Sequence, residues 1–121
     1  MDFEGLLNAQ QKLLEYIPHG HTITDQATPS VIAGYGIIEE TLEYLNSIGF
    51  KSWRPIPQPR EEQLEELTDI LFFYLELVLF SGFTTDEIEK EYKRKWIINV
   101  ARWQAAKEGD YSWDDRSKEG L

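Results

Sequence analysis

Two pairs of carboxylates set into apolar helical runs constrain this chain more than any other feature. The first lies in Glu39-Glu40-Thr41-Leu42-Glu43 and the second in Glu66-Leu67-Thr68-Asp69, with twenty-two residues between Glu43 and Glu66. An α-helix turns once every ~3.6 residues, so side chains three apart share a face. Glu40 and Glu43 therefore point one way on one helix, and Glu66 and Asp69 do so on another. Ile37-Ile38 precedes the first pair and Ile70-Leu71-Phe72-Phe73 follows the second, so both helices must also pack. An exposed like-charged pair at this spacing costs about 0.2–0.5 kcal/mol. Four carboxylates meeting at a packed seam cost far more unless a cation lies among them. Mg²⁺ suits such a set, because it takes oxygen ligands and keeps waters and substrate phosphates as the rest of its shell. The competing reading is a solvated acidic face, which a chain with 22 Asp and Glu produces by chance. One pair would fit that reading; two pairs flush against apolar runs favour the metal.

Composition narrows the class. The 121 residues make one domain, with an irregular tail from about Gly109, long enough to bury a core without crosslinks. Apolar content of 41% and aromatic content of 13% are those of a folded globule. Cysteine is absent, which excludes disulfides, thiolate catalysis and Cys-zinc sites. His19 and His21 flank Gly20 in a stretch that reads as a solvated loop. The acidic start Met1-Asp2-Phe3-Glu4 lacks the basic region of a secretion signal. The apolar run from Ile70 to Phe80 is broken by Glu76 and too short for a bilayer. A cytoplasmic protein without a membrane partner is the expectation. A net charge of −10 argues against binding polymeric nucleic acid, which needs a basic surface, but leaves a nucleotide as ligand.

The pattern along the chain is helical throughout, and an all-α four-helix bundle is the expected fold. The first helix runs from about Phe3 to Ile17 and is ended by Pro18 and Gly20. The second enters through Thr28-Pro29-Ser30, runs from about Ser30 to Ile48 and stops at Gly49, with Tyr35, Ile38, Leu42 and Leu45 as its core face. Gly36, one turn before Glu40, weakens that helix, so either a close approach requires it or it is tolerated. Pro55, Pro57 and Pro59 make the next segment a stiff connector. The third helix begins near Pro59 and runs to about Phe80. Leu64, Leu67, Leu71, Leu75 and Val78 form its core stripe, and Glu62, Glu66, Asp69, Phe73 and Glu76 form an acidic edge. Ser81-Gly82 breaks it, and Thr84 with Glu87 reads as a capping box opening a fourth helix that runs to about Lys107. Tyr111 and Trp113 are candidate anchors in the tail.

Lys95, Asn99 and Arg102 share one face of the fourth helix, a cationic stripe on an acidic protein suited to phosphate oxygens. Surface salt bridging, to Glu91 for example, is the plainer use of such residues. Trp53 in the connector suits stacking on a base as well as it suits plugging a bundle edge.

Glu39-Glu40-x-x-Glu43 followed by Glu66-x-x-Asp69 resembles the metal signature of the all-α nucleoside triphosphate pyrophosphohydrolases, among them the MazG-type enzymes and the dimeric dUTPases. The segment from Glu39 to Trp53 and the pattern Tyr92-x-x-Lys95-x-x-x-Asn99-x-x-Arg102 resemble the dimeric dUTPase branch, and the likeness runs from about Gln10 to Tyr111. The resemblance implies hydrolysis of a deoxynucleoside triphosphate to monophosphate and diphosphate, with Mg²⁺ or Mn²⁺ as its substitute, in a homodimer or higher oligomer. It further implies Glu40, Glu43, Glu66 and Asp69 as metal ligands, and Glu39 or Glu43 as the group that orients or deprotonates the attacking water. Lys95, Asn99 and Arg102 would hold phosphates, Gln10 with Trp53 would lie near the base, and Lys51 would contact base or substrate. Within the class dUTP is the leading substrate, with a broader house-cleaning range as the alternative. Outside it stand a helical module that binds metal or nucleotide without turnover and a structural dimerisation domain.

Overall fold

The computed structural model describes residues 1–17 and 27–109. They form four α-helices and no β-strand: α1 (Phe3–Tyr16), α2 (Ala27–Ser47), α3 (Arg60–Ser81) and α4 (Thr85–Glu108). The expected all-α, four-helix architecture is the one adopted. The helices divide into two compact units, residues 1–84 with α1 to α3 and residues from Thr85 onward with α4. His19, His21, Tyr111 and Trp113 lie outside the described residues.

In the first unit α3 is central, with α2 along it and α1 against it. Asp2 caps α1, its Oδ1 accepting a hydrogen bond from the Gly5 amide at 2.8 Å. That satisfies one of the helix's otherwise orphaned donors. α1 ends as Ile17 turns extended, the conformation favoured in a residue that precedes proline. α2 starts three residues earlier than its pattern suggests, which puts Pro29 in the first turn, where a missing N–H costs nothing.

The α2–α3 contact is antiparallel and very close. A Cβ on Gly36 would stand 2.4 Å from the Phe73 ring, so the glycine is required by close approach rather than tolerated. At the other end of the pair the Gln58 amide donates to the Ser47 carbonyl at 2.7 Å. Gln63 Nε2 donates to the Gln58 carbonyl at 2.8 Å, tying the start of α3 to the same strap. The connector between them turns sharply at Lys51–Arg54, where the two backbones form an isolated bridge and the Arg54 amide reaches the Lys51 carbonyl at 3.0 Å. Gly49 makes this path available. Its φ is +72°, and a Cβ there would meet the Pro57 nitrogen at 2.8 Å.

The burial pattern corrects the expected core. Among the described residues of this unit, Leu7, Pro29, Ala33, Leu75 and Val78 are buried. Ile38 and Leu42, placed on the core face of α2 by their spacing, are 57% and 55% exposed, and Tyr35 is exposed while Leu45 is half-buried. Leu64, Leu67 and Leu71 are likewise exposed, leaving only Leu75 and Val78 of that stripe inside. The reason is rotational. α2 meets α3 through Gly36, Glu40 and Glu43, and a residue two positions away lies about 200° around the helix. The apolar stripes therefore face outward, and the acidic edges face the seam. No single described helix is long and apolar enough to cross a membrane.

Candidate active site

The seam repeats one spacing from both sides. α2 contributes Gly36, Glu40, Glu43 and Ser47; α3 contributes, in the reverse direction, Phe73, Asp69, Glu66 and Glu62. Steps of four, three and four keep each set on one helix face, so Gly36 opposite Phe73 sets the carboxylates against one another. One carboxylate oxygen from each of Glu40, Glu43 and Glu66 lies within 4.8 Å of the others. Glu40 and Glu66 are half-buried and Glu43 is exposed. The Oε2 atoms of Glu40 and Glu66 are buried without any hydrogen-bond partner. Thr41 and Thr68, which adjoin Glu40 and Asp69 in sequence, donate instead to their own helices, to the carbonyls of Ile37 at 2.6 Å and Leu64 at 2.7 Å.

This crowding shows in the protonation equilibria. Burial pushes the Glu40 carboxyl up to about 7 from its ordinary 4.5, helped by a hydrogen bond and charge repulsion from Glu43 and by the charges of Asp69 and Glu66. Glu66 is raised too, by burial first and then by the charges of Glu43 and Asp69. Desolvation and like charges both disfavour ionised carboxylates, and a divalent cation reverses both. The orphaned buried oxygens and the all-oxygen donor set fit a hard cation such as Mg²⁺. Glu40, Glu43 and Glu66 form the trio; Asp69 is half-buried beside it, and Glu39 is exposed outside it.

Two cavities of the first unit flank the trio along the seam. On the side of the connector, an open cleft of about 430 Å³ is lined by Glu43, Glu66, Lys51, Arg54, Ser47 and Gln58 among others. The tight turn is what brings Lys51 and Arg54 there together. Among the described residues neither cation forms an ion pair, although Glu43, Glu62 and Glu66 line the same cleft. Trp53 is exposed, with the Lys51 ammonium 5.9 Å from its ring centroid, the outer reach of a cation–π contact. On the other side, a pocket of about 350 Å³ is lined by Pro29, Ala33, Phe72, Phe73, Phe80 and the polar pair Gln10 and Glu76, with further aliphatic side chains. Gln10 is 4% exposed. The structure thus places Gln10 at one end of the seam and Lys51 and Trp53 at the other.

Within the second unit, Lys95 is half-buried, Asn99 exposed and Arg102 buried, and Arg102 Nη1 donates to Asn99 Oδ1 at 3.2 Å. Glu91 pairs with Arg94, whose guanidinium holds it below the usual carboxylate range. Sequence reasoning missed Arg54, Gln58 and Glu62 as cleft-lining residues. A cation three residues after Lys51, following a helix-ending glycine, was the available signal for Arg54.

The model of the dUTPase family matches residues 2–80. The chain belongs to that family. The match spans α1, α2 and nearly all of α3, the helices that build the carboxylate seam. Membership makes this a MazG-like, all-α nucleoside triphosphate pyrophosphohydrolase, a hydrolase of nucleotide pyrophosphate bonds with an acidic cluster able to coordinate a divalent ion. No curated protein and no solved structure matches the chain.

Proposed function

We propose that the protein hydrolyses a deoxynucleoside triphosphate to the monophosphate and diphosphate at the α2–α3 seam, with Mg²⁺ held by Glu40, Glu43, Glu66 and Asp69 and with Mn²⁺ as a substitute. The observation that carries this reading is the order of three environments along one seam. A cationic cleft, a carboxylate trio with orphaned oxygens, and an apolar pocket holding a buried amide follow one another. A nucleoside triphosphate has the matching order of anionic tail, metal-binding phosphates and flat apolar base.

Bound at the trio, Mg²⁺ would supply charge neutralisation on the phosphates and a water of lowered pKa. The chain's own residues do the remaining work. Glu43, exposed at the edge of the trio, or Glu39, one turn earlier, accepts the proton of the attacking water as one phosphoanhydride P–O bond breaks and diphosphate leaves. Lys51 and Arg54 hold the departing charge, and Arg54 suits bidentate contact with phosphate oxygens. Lys95, Asn99 and Arg102 are further phosphate ligands in this reading, supported by their common helix face. Gln10 faces the base, and Trp53 contacts substrate at the phosphate end. dUTP is the substrate that family membership puts first; a different base preference is the second reading, favoured by Glu76 in the pocket. The outward apolar stripes of α2 and α3 support a homodimer or higher oligomer that covers them.

The test is diphosphate release from dUTP, dTTP, dCTP, dATP, dGTP and the ribonucleotides, with Mg²⁺ and with EDTA. Turnover that EDTA abolishes supports the proposal. Metal binding without turnover on any of them replaces it with a binding module.

A further inference from the structure

We infer that Gln63 is a positioning residue for phosphate binding: its side-chain amide holds the connector so that Lys51 and Arg54 stand in the cleft beside the carboxylates. The inference rests on the nucleotide reading above and deepens only its phosphate end.

Gln63 Nε2 donates to the Gln58 carbonyl at 2.8 Å. Among the described residues this is the one side-chain hydrogen bond that joins a helix to the connector. Its direction shows what it serves. The first turn of a helix has spare N–H donors, so a side chain that caps it must accept. Gln63 instead gives its proton to a carbonyl outside α3, which steadies the connector and leaves the helix no better capped.

The connector passes that restraint on. The Gln58 amide is tied to the Ser47 carbonyl at 2.7 Å. Gln58 is thus gripped from α2 through its N–H and from α3 through its C=O. The limb before it lies close over Gly49, where a Cβ would stand 2.8 Å from the Pro57 nitrogen and 2.9 Å from the Ile56 carbonyl carbon. Pro55, Pro57 and Pro59 fix φ at alternate positions and keep the residues between them extended. A displacement of Gln58 is therefore carried along the limb to Arg54, which adjoins Pro55, instead of being absorbed on the way. The cations have no outside anchor of their own. Among the described residues neither forms an ion pair, and the contacts of the turn, Arg54 with Lys51 and Lys51 with Trp53, stay within it. Both nevertheless line the cleft with Glu43 and Glu66. Their place there is set by the backbone that Gln63 holds.

The experiment uses Gln63→Met, which keeps the length and the charge and removes the donor. With Mg²⁺ and the triphosphate turned over fastest, KM should rise by about three- to tenfold while kcat stays within about twofold, the pattern of lost substrate binding. Calorimetric titration with inorganic diphosphate and Mg²⁺ should show affinity weakened by a like factor. In an Arg54→Ala background Gln63→Met should add little, because a residue that acts through another is not additive with it. The same factor in both backgrounds makes the glutamine merely structural and overturns the inference. Unaltered KM and diphosphate affinity in Gln63→Met overturn it too, as does a loss confined to kcat. If no triphosphate is hydrolysed, the pyrophosphohydrolase reading fails, and the diphosphate titration decides the role of Gln63 separately. Weaker binding in Gln63→Met that vanishes as an effect in the Arg54→Ala background sustains the inference. Equal binding, or no binding by the unaltered protein, overturns it.

Discussion

α2 and α3 each present two faces built in opposite ways. Toward each other, around the carboxylates, they turn glycine and serine, with Phe73 pressed on Gly36. Away from each other they turn Ile38 and Leu42 on one helix and Leu64, Leu67 and Leu71 on the other, all exposed. A helix pair optimised for the stability of one chain would do the reverse. Burying each outward side chain would stabilise by about 1.5–3 kcal/mol, while gathering carboxylates costs free energy until a cation arrives. The contrast teaches that the seam is arranged for chemistry rather than for the stability of one chain, and the proposed association is what the apolar faces would serve.

The largest effect should come from the inward face. Glu43→Gln removes the carboxylate that touches both Glu40 and Glu66, and loss of a group with such a role lowers turnover by about 10²–10⁴-fold. Far-UV circular dichroism of the variant should be unchanged, and in EDTA its melting temperature should rise, since one charge has left a crowded seam. Near-normal diphosphate release would take Glu43 out of the site. Activity lost together with the helical signal would mean that the carboxylate is structural.

The outward face is probed by Leu67→Asp. In an isolated chain an exposed substitution changes stability by no more than about 0.5 kcal/mol. At the centre of an interface, truncating or charging an anchor costs about 2 kcal/mol or more, a weakening of over tenfold. Light scattering on a sizing column should therefore show the variant moving to smaller species with its helicity retained. An unchanged mass would show that these leucines cover nothing.

How much of this was legible in the sequence depends on which periodicity is followed. Glu40, Glu43, Glu66 and Asp69 declare themselves because like charges three apart in apolar surroundings have no cheap structural explanation. The helices, too, are readable, with Gly49, the proline-rich connector and Gly82 marking their limits. The core is not. Ile38, Leu42, Leu64 and Leu67 carry the same periodic signal as buried residues do, and periodicity reports that a face avoids water, not which molecule covers it. Gly36 illustrates the other gap. Its meaning lay in Phe73, thirty-seven residues away, and only the fold joins them. Arg54 was hidden because a connector with three prolines gives no periodicity, and the Lys51–Arg54 turn that aims the two cations has no helical register to announce it.

The Gly36–Phe73 contact predicts a moderate effect. Gly36→Val places a branched side chain where a Cβ alone would stand 2.4 Å from the ring. Overpacking of this kind costs about 1–3 kcal/mol, read as a lowered midpoint in urea. Phe73→Leu in the same chain should recover part of the loss, because the two residues share one space and their effects do not add. Strict additivity of the two would mean that the helices do not approach at this point.

The smallest effect is a dependence of stability on pH. Glu40 titrates at about 7 in the fold against an ordinary 4.5, because it is buried among Glu43, Asp69 and Glu66. Between those values the folded chain holds a proton that the unfolded chain has released. Stability from this group is therefore greatest at low pH and declines as pH rises through the window. Melting temperatures in EDTA should fall by a few degrees from pH 5 to pH 8, and Glu40→Gln should flatten the decline. Mg²⁺ competes with the same protons, so its stabilising effect should be slight at pH 5 and full above pH 7. A melting temperature in EDTA that is level across the window, or one that Glu40→Gln leaves sloping as before, would separate the carboxylates from one another. The inward face would then be no more demanding than the outward one.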